Sequence, residues 1–233
     1  MGGLAYHVLN RSAGRRMIFR SDGDFEAFEA TLAQAVDRAA GEVRLLAYCV
    51  MGNHWHLVVR TTADGALSAF MKWLTLTHTQ RHQVAHQRVG HGPLYQGRYK
   101  SFPVETGGHL LTVCRYVEHN AARAGLVRRA EDWRWSSLWC WRYPADAAAY
   151  QPALALWPWP TAGVGTPAAD GSGRPRQWLR TVNTPLSEPE LAALRRATTK
   201  SRPYGSDRWA DRMIARFDLE STTRNPGRPG STE

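Results

Sequence analysis

The residues best suited to chemistry in this chain are two histidines separated by one position, His54 and His56. They follow the turn signal Gly52-Asn53 and lie in a segment whose composition predicts a strand. Side chains two positions apart on a strand share a face, so both imidazoles point the same way. Two neighbouring imidazoles can hold one divalent cation. Taken alone, however, such a pair favours the plainer alternative, in which both rings hydrogen-bond to neighbouring backbone.

A tyrosine with a suitable neighbour provides the second candidate group. Tyr116 and Asn120 are four residues apart in a segment predicted to be helical, so they share one helix face. A tyrosine hydroxyl can be a nucleophile that forms a covalent intermediate. The Asn120 amide oxygen can be a third metal ligand beside the histidine pair, and His119 competes for that role. The alternative is a tyrosine ring packed in the core with its hydroxyl hydrogen-bonded.

The hydropathy pattern of residues 1–143 predicts the elements that must position these groups. Strand patterns occur at 4–10, 43–51, 54–61 and 94–104, and helical spacing of apolar residues occurs at 22–40, 67–86 and 109–124. This order of strands and helices is that of an α+β fold. It predicts a ferredoxin-like antiparallel sheet with helices on one face.

Composition changes after Tyr143, and this change predicts three regions. We expect a catalytic domain over residues 1–143, a Pro/Ala/Gly-rich linker over 144–180 and a basic helical C-terminal extension over 181–233 that ends in a disordered tail. Ser187-Glu188-Pro189-Glu190 is a capping box that predicts the start of a helix, and a second helix is predicted over 206–217. Residues 171–233 contain 12 lysines and arginines against 7 acidic residues.

The overall charge indicates the class of partner. The 233 residues carry a formal net charge of +10, which favours a polyanion such as nucleic acid. Mean hydropathy is −0.46, and no apolar run approaches the roughly 18–20 residues of a membrane span, so we expect no membrane partner. No secretory signal is evident, and three widely spaced cysteines form no C-x-x-C pair. These features predict a cytoplasmic protein rather than a secreted, disulfide-stapled domain.

Several motifs in consistent order carry a family resemblance. Asn53-His54-Trp55-His56-Leu57 is similar to the histidine-hydrophobic-histidine (HUH) motif of single-strand DNA nucleases. The chain more specifically resembles the REP-associated tyrosine transposases over residues 4–141. The matching segments are 6–8, 47–57, 94–101, 114–120, 122–127 and 133–137, and Arg202-Pro203-Tyr204-Gly205-Ser206 extends the resemblance. Two positions depart from the family, because Ala121 and Gly52 stand where members often have proline.

The resemblance implies an HUH endonuclease fold and a metal-assisted transposase. His54 and His56, with Asn120, would hold Mg²⁺ or Mn²⁺, and Tyr116 would attack a DNA phosphodiester to give a 5′-phosphotyrosyl intermediate. The implied substrate is single-stranded or hairpin DNA at palindromic repeats. The resemblance is also compatible with a homodimer, and with a domesticated relative that binds DNA without cutting it.

A set of basic residues is predicted to contact DNA phosphates. Arg98 and Lys100 are two apart in a predicted strand and so share a face, and three arginines follow the first strand. The predicted DNA-binding residues are Arg11, Arg15, Arg16, Arg98, Lys100, Arg115 and Arg202.

A zinc or iron enzyme is the main rival from the residues themselves. His78, His82 and His86 are spaced by four on the second predicted helix, which is compatible with a metal site. The segment lacks an H-E-x-x-H motif, so we interpret it as a polar or DNA-facing surface. The absence of a G-x-S-x-G elbow and of a P-loop argues against a serine hydrolase and a nucleotide-driven motor.

Overall fold

A four-stranded antiparallel sheet forms the centre of the chain. The computed structural model describes residues 2–146, 151–155 and 173–223. The strands are β1 (Ala5–Arg11), β2 (Val43–Met51), β3 (His54–Thr61) and β4 (Lys100–Val104), in the order β2-β3-β1-β4. The helices are α1 (Asp22–Arg38), α2 (Ala66–Ala85), α3 (Gly108–Glu118), α4 (Asn120–Arg123), α5 (Ser137–Arg142), α6 (Trp178–Asn183), α7 (Glu188–Lys200) and α8 (Asp207–Arg216). The predicted α+β, ferredoxin-like antiparallel fold is confirmed.

Strand alternation sends the apolar side chains into two layers. On one face, Trp55 and Leu57 of β3 pack with Phe28 and Leu32 of α1 and with Leu74 of α2. These two helices are the pair that a ferredoxin-like unit places on one face. Ser21 is the N-cap of α1, and its capping box with Asp24 satisfies the first backbone N–H groups of the helix.

The opposite face of the sheet is covered by α3. Cys49 of β2, Val58 of β3 and Phe102 of β4 pack there with Val113 and Val117 of α3. This face also carries the even-numbered positions of β3, which include both histidines of the pair. The structure therefore adds a helical layer above the residues predicted to do chemistry, and that layer supplies the tyrosine.

The last strand is shorter than predicted. It begins at Lys100 rather than at residue 94, because Tyr95 turns into the core instead of continuing the sheet. The Tyr95 hydroxyl accepts a hydrogen bond from Trp55 Nε1 at 2.9 Å and is 2.7 Å from His78 Nδ1. Arg98 consequently precedes the strand, so the prediction that it shares a strand face with Lys100 is wrong.

The helix predicted over 109–124 is divided into two. Helix α3 ends at Glu118, and α4 begins at Asn120 after His119, whose ψ of −2° interrupts the regular turn. Tyr116 therefore lies in the last turn of α3, whereas Asn120 opens the following short helix. The two side chains still lie on the same side of the chain, above the sheet.

Helices α6 and α7 pack on the same layer as α3. Trp178 and Leu194 are buried in that layer, and the predicted capping box at Ser187 and Glu190 is present. Residues 203–205 pair with β4, since Tyr204 N–H donates to Pro103 O and Glu105 N–H donates to Tyr204 O, each at 2.9 Å. This pairing covers the edge strand of the sheet.

Glycine is required in this pairing segment. A Cβ atom added at Gly205 would lie 2.6 Å from the Trp209 ring and 2.7 Å from Glu105 Cβ.

The predicted division into three domains stays a prediction. The predicted disordered tail at 224–233 and most of the predicted linker lie outside the described residues.

A buried carboxylate joins the C-terminal segment to α3. Glu118 is fully buried and accepts hydrogen bonds from Ser137 Oγ at 2.6 Å, from Arg174 at 2.7 Å and from Trp178 Nε1 at 2.6 Å. One donor belongs to α5 and the other two, Arg174 and Trp178, belong to the C-terminal segment. Because Glu118 is two residues from Tyr116, this network holds the end of the helix that carries the tyrosine.

No helix in the described part of the chain is both long and apolar enough to span a bilayer.

Candidate active site

The two histidines of the pair point towards α3, as strand alternation predicts. In the register of the sheet, His54 lies opposite Arg11 of β1 and His56 lies between Leu9 and Cys49. Their ring centroids are 5.1 Å apart and the rings are nearly perpendicular. Trp55 between them is fully buried on the other face. The pair is thus a compact imidazole cluster on one face of a central strand.

The hydrogen bond of His54 leaves one ring nitrogen available. Its Nδ1 is 2.6 Å from Asn53 Oδ1, which can only accept, so Nδ1 carries the proton and Nε2 keeps its lone pair. Burial, with smaller contributions from the charges of Arg11 and Arg123, lowers the pKa of His54 to about 4. The ring is therefore neutral at neutral pH, as ligation of a metal requires.

A third histidine, His7, contacts His56 through the ring nitrogen that faces away from the candidate metal position. His7 Nε2 is 2.9 Å from His56 Nδ1, and the two rings stack with centroids 5.1 Å apart. Burial lowers the pKa of His7 to about 3 and the pKa of His56 well below its usual value, so both rings are neutral. When His56 donates its Nδ1 proton to His7, its Nε2 lone pair is free to bind a cation. This is the support that metal-binding histidines usually receive.

The role of His7 was missed in the sequence. The residue occurs in a matching segment, Tyr6-His7-Val8, and it sits on the same face of β1 as Leu9 and Arg11. Its contact with His56 is diagonal across two antiparallel strands. That contact depends on the register between β1 and β3, which no local pattern specifies.

Tyr116 is brought over the histidines by α3. Its ring centroid lies 6.0 Å from that of His56 and 6.2 Å from that of His7, with the ring edge-on to each. The side chain is 8% exposed and packs in the core cluster on this face of the sheet. The candidate nucleophile and the candidate metal ligands, which are 60 positions apart in the chain, therefore meet.

Arg123 also belongs to this site, and the sequence did not predict a role for it. The Arg123 guanidinium carbon lies 5.3 Å from the centre of the Tyr116 ring, and the same side chain donates to Asn120 Oδ1 at 2.5 Å. Its charge contributes to lowering the pKa of both His54 and His56. The spacing of seven residues from Tyr116 was an available signal, because positions i and i+7 share a helix face.

The third metal ligand stays a choice between two residues. Asn120 is 1% exposed, its oxygen accepts from Arg123, and its Nδ2 is buried without a hydrogen-bond partner among the described residues. His119 Nδ1 is likewise buried without a partner in that part of the chain. Both lie in the break between α3 and α4, beside Tyr116. The prediction of Asn120, with His119 as the competitor, stays a prediction.

The basic residues predicted to bind DNA separate into four locations. Arg11, Arg98 and Lys100 line one hollow of about 240 Å³ beside the histidine face, together with Gln96 and Gly97. Because Leu9 and Arg11 line this hollow and lie opposite His56 and His54 in the sheet, the hollow opens next to the pair. Three predicted cations thus form one basic surface at the site.

The remaining predicted cations lie elsewhere. Arg15 and Arg16 lie in the loop after β1, where Arg15 O accepts from the Asn53 side chain. Arg115 donates to the carbonyl oxygens of Thr184 and Pro185, which joins α3 to the C-terminal segment. Arg202 lines a separate hollow between α7 and α8. The structure does not bring these four to the basic surface of Arg11, Arg98 and Lys100.

One interpretation of the histidine-rich helix is wrong. His78 does not lie on a polar or DNA-facing surface, because it is 2% exposed and stacks on Phe19 with ring centroids 5.5 Å apart. Helical spacing alone cannot distinguish a histidine on the core side from one on the solvent side. The next two histidines, His82 and His86, are only partly buried.

Comparison with known proteins gives two kinds of match. A family described as "Transposase IS200 like" matches residues 1–120. Among solved structures, the fold is similar to a REP-associated tyrosine transposase bound to a REP hairpin, with a TM-score of 0.50 and 16% identity over 72% of this chain and 95% of that one. A putative transposase from Deinococcus radiodurans R1 is also matched, with a TM-score of 0.38 and 20% identity over 53% of this chain and 85% of that one. No curated protein matches.

Proposed function

Because the chain belongs to the IS200-like transposase family, we propose that it is a single-strand DNA endonuclease and strand transferase whose nucleophile is Tyr116. The observation that carries the proposal is the meeting of Tyr116 from α3 with the neutral histidine pair of β3. Tyr116 packs in the core cluster on this face of the sheet, and there its ring meets His56, His7 and Arg123 together.

The proposed step is a transesterification at phosphorus. The Tyr116 oxygen forms a bond to phosphorus while the bond from phosphorus to the 3′ oxygen breaks, and the tyrosine loses its proton as the released 3′ oxygen gains one. The products are a 5′-phosphotyrosyl bond and a free 3′-hydroxyl. The reverse attack by a 3′-hydroxyl rejoins strands, so the reaction needs no nucleotide cofactor.

The histidine pair fits a divalent cation. Each imidazole is neutral, and each has its Nδ1 engaged by a neighbour, which leaves Nε2 as the ligand atom. His54 and His56, with Asn120 or His119, would hold Mg²⁺ or Mn²⁺, and the bound cation would supply positive charge to the phosphate oxygens. Asn53 and His7 hold the two rings in the required orientation.

The arginines provide fixed positive charge around the reacting group. Arg123 lies against Tyr116, where its guanidinium can stabilise the charge that develops on the phosphate. Arg11, Arg98 and Lys100 form a basic surface that can follow the flanking phosphates. These contacts are independent of base identity, so they position the DNA and do not select its sequence.

We propose hairpin DNA with a single-stranded flank, at palindromic repeats, as the substrate. The support is the resemblance to REP-associated transposases and the solved relative, which is described as bound to a REP hairpin. Tyr116 lies over the histidine pair of its own chain, so the site can act in cis. The possible homodimer stays a prediction.

The metal role is tested by replacing His54 with alanine. We expect Mn²⁺-dependent cleavage of labelled hairpin DNA to fall on the order of 10³-fold, the effect of losing several kcal/mol of charge stabilisation. Binding of the same DNA in a gel-shift assay should change little, because the phosphate contacts remain. His109→Ala, which removes a partly exposed histidine at the start of α3, is the matched control. Full cleavage by His54→Ala would contradict the proposed metal role.

The support of His56 is tested by a pair of substitutions at His7. His7→Leu removes the hydrogen-bond partner of His56 and should weaken Mn²⁺ affinity about 10- to 100-fold, the usual effect of a lost supporting residue. His7→Gln keeps an acceptor and should recover part of that affinity. Electron paramagnetic resonance of free Mn²⁺ measures affinity without reading activity. Equal affinities for the two variants would show that His7 only fills space.

A further inference from the structure

A second group of potential metal ligands lies where the start of α1 meets the end of α2. Asp24, His82 and His86 each offer one ligand atom, and these three atoms lie within 4.8 Å of one another. His82 and His86 are four residues apart and so project from one face of α2. The group is formed by α1 and α2, the two helices on the opposite side of the sheet from Tyr116.

The carboxylate of this group is held in place before any ligand binds. Asp24 Oδ2 accepts from the backbone N–H groups of Arg20 and Ser21, at 2.9 and 3.0 Å, while Oδ1 is 2.6 Å from His86 Nε2. Burial by itself would raise the pKa of Asp24, but these hydrogen bonds hold it at about 2. The carboxylate is therefore ionised and has one oxygen directed at the histidines.

The His82 ring is also held in one orientation. His82 Nε2 is 2.9 Å from Ile18 O, which can only accept, so Nε2 carries the proton and the lone pair lies on Nδ1. That Nδ1 is buried and has no hydrogen-bond partner among the described residues. Burial lowers the pKa of His82, so its ring is neutral. A buried acceptor without a donor is a cost that a bound cation would remove.

We propose that Asp24, His82 and His86 form a Zn²⁺-class cation site separate from the catalytic histidine pair. Two imidazoles and one carboxylate are a ligand set that zinc uses, with the fourth position open. The adjoining cavity, of about 150 Å³, is lined by Arg16, Arg20 and Arg88, which favour an anion at that open position. Because the same arginines repel a dication, we expect micromolar rather than tighter affinity.

A cation bound at this site would stabilise the structure next to the β2–β3 hairpin, which carries His54 and His56. It joins α1 and α2 to the loop that contains Ile18, and this loop in turn holds the β2–β3 turn. The backbone N–H groups of Ile18 and Phe19 both donate to Gly52 O, at 2.9 and 3.0 Å. Gly52 is two residues from His54, so a cation bound here would stiffen the turn that precedes the histidine pair.

The experiment measures zinc binding in a chain that lacks the catalytic pair. Zn²⁺ is titrated against a chromophoric chelator into the His54→Ala/His56→Ala double variant, and thermal unfolding is followed with and without Zn²⁺. We expect one Zn²⁺ per chain and a higher unfolding temperature when it is bound. Because no activity is read, the result is independent of the proposed transposase function.

Three further variants, in the same background, assign the ligands. His86→Gln and the isosteric Asp24→Asn should each weaken Zn²⁺ binding at least tenfold, and the zinc-dependent rise in unfolding temperature should disappear. His109→Gln is the matched control, since His109 faces Glu105 at 3.4 Å with the same spacing of four but without a second histidine ligand. Absence of binding, or equal affinity in the His86→Gln and His109→Gln variants, would overturn the proposal.

Discussion

The Tyr116→Phe variant is expected to form no covalent adduct with hairpin DNA and to keep its affinity for that DNA. The substitution removes only the hydroxyl oxygen. The ring contacts with His56, His7 and Arg123 remain, so the fold and the metal ligands should be unaffected. Removal of a catalytic nucleophile typically lowers the rate on the order of 10⁶-fold, which here means no detectable cleavage.

A denaturing gel with end-labelled DNA and Mn²⁺ measures this prediction, because a phosphotyrosyl adduct survives denaturation and migrates with the protein. Tyr99→Phe is the matched control, since Tyr99 is a partly buried tyrosine that packs against the cluster on the other side of the sheet. An adduct that persists in Tyr116→Phe would move the nucleophile to another residue. If the parent protein bound DNA and formed no adduct at all, the domesticated, non-cleaving alternative would replace the proposed function.

The Glu118→Ala variant is expected to lose the most stability of any single substitution considered for this chain. Glu118 and Arg174 are both buried, at 0% and 2% exposure, and the carboxylate also accepts from Ser137 and Trp178. Removing one partner of a buried ion pair leaves the other charge poorly compensated, which costs about 3–5 kcal/mol. The cost should appear in the free energy of unfolding.

Urea denaturation followed by tryptophan fluorescence gives this quantity. Glu190→Ala provides the comparison, because Glu190 is a partly exposed carboxylate in the α7 capping box, where the loss should be about 1 kcal/mol. Glu118→Gln keeps the shape and some hydrogen bonds, so it should fall between the two. If Glu118→Ala were no less stable than Glu190→Ala, the network would not be what holds the C-terminal segment on α3.

The features that local pattern predicted are those that depend on near neighbours in the chain. The β2–β3 hairpin has the predicted bounds because alternation and a two-residue turn are properties of adjacent residues. The same alternation correctly placed His54 and His56 on one face and Trp55 on the other. The capping box at Ser187 was predicted for the same reason and is present.

Predictions from local sequence pattern were wrong where two different structural arrangements fit the same residue pattern. The histidines of α2 recur every four residues whether they face the core or the solvent, and only the packing of Phe19 against His78 decides between these positions. Residues 94–99 have the composition of a strand, but burial of Tyr95 beside Trp55 removes them from the sheet. In each case a tertiary contact overrode a weak local preference.

By itself, therefore, the sequence determined the sheet, its histidine face, the helix that carries Tyr116, and the family. Only the tertiary structure decided that His7 supports His56 and that Arg115 joins α3 to the C-terminal segment. The physical reason is that strand and helix periods arise between adjacent residues. Strand register, helix docking and buried ion pairs arise between residues far apart in the chain, so the spacing of neighbouring residues cannot predict them.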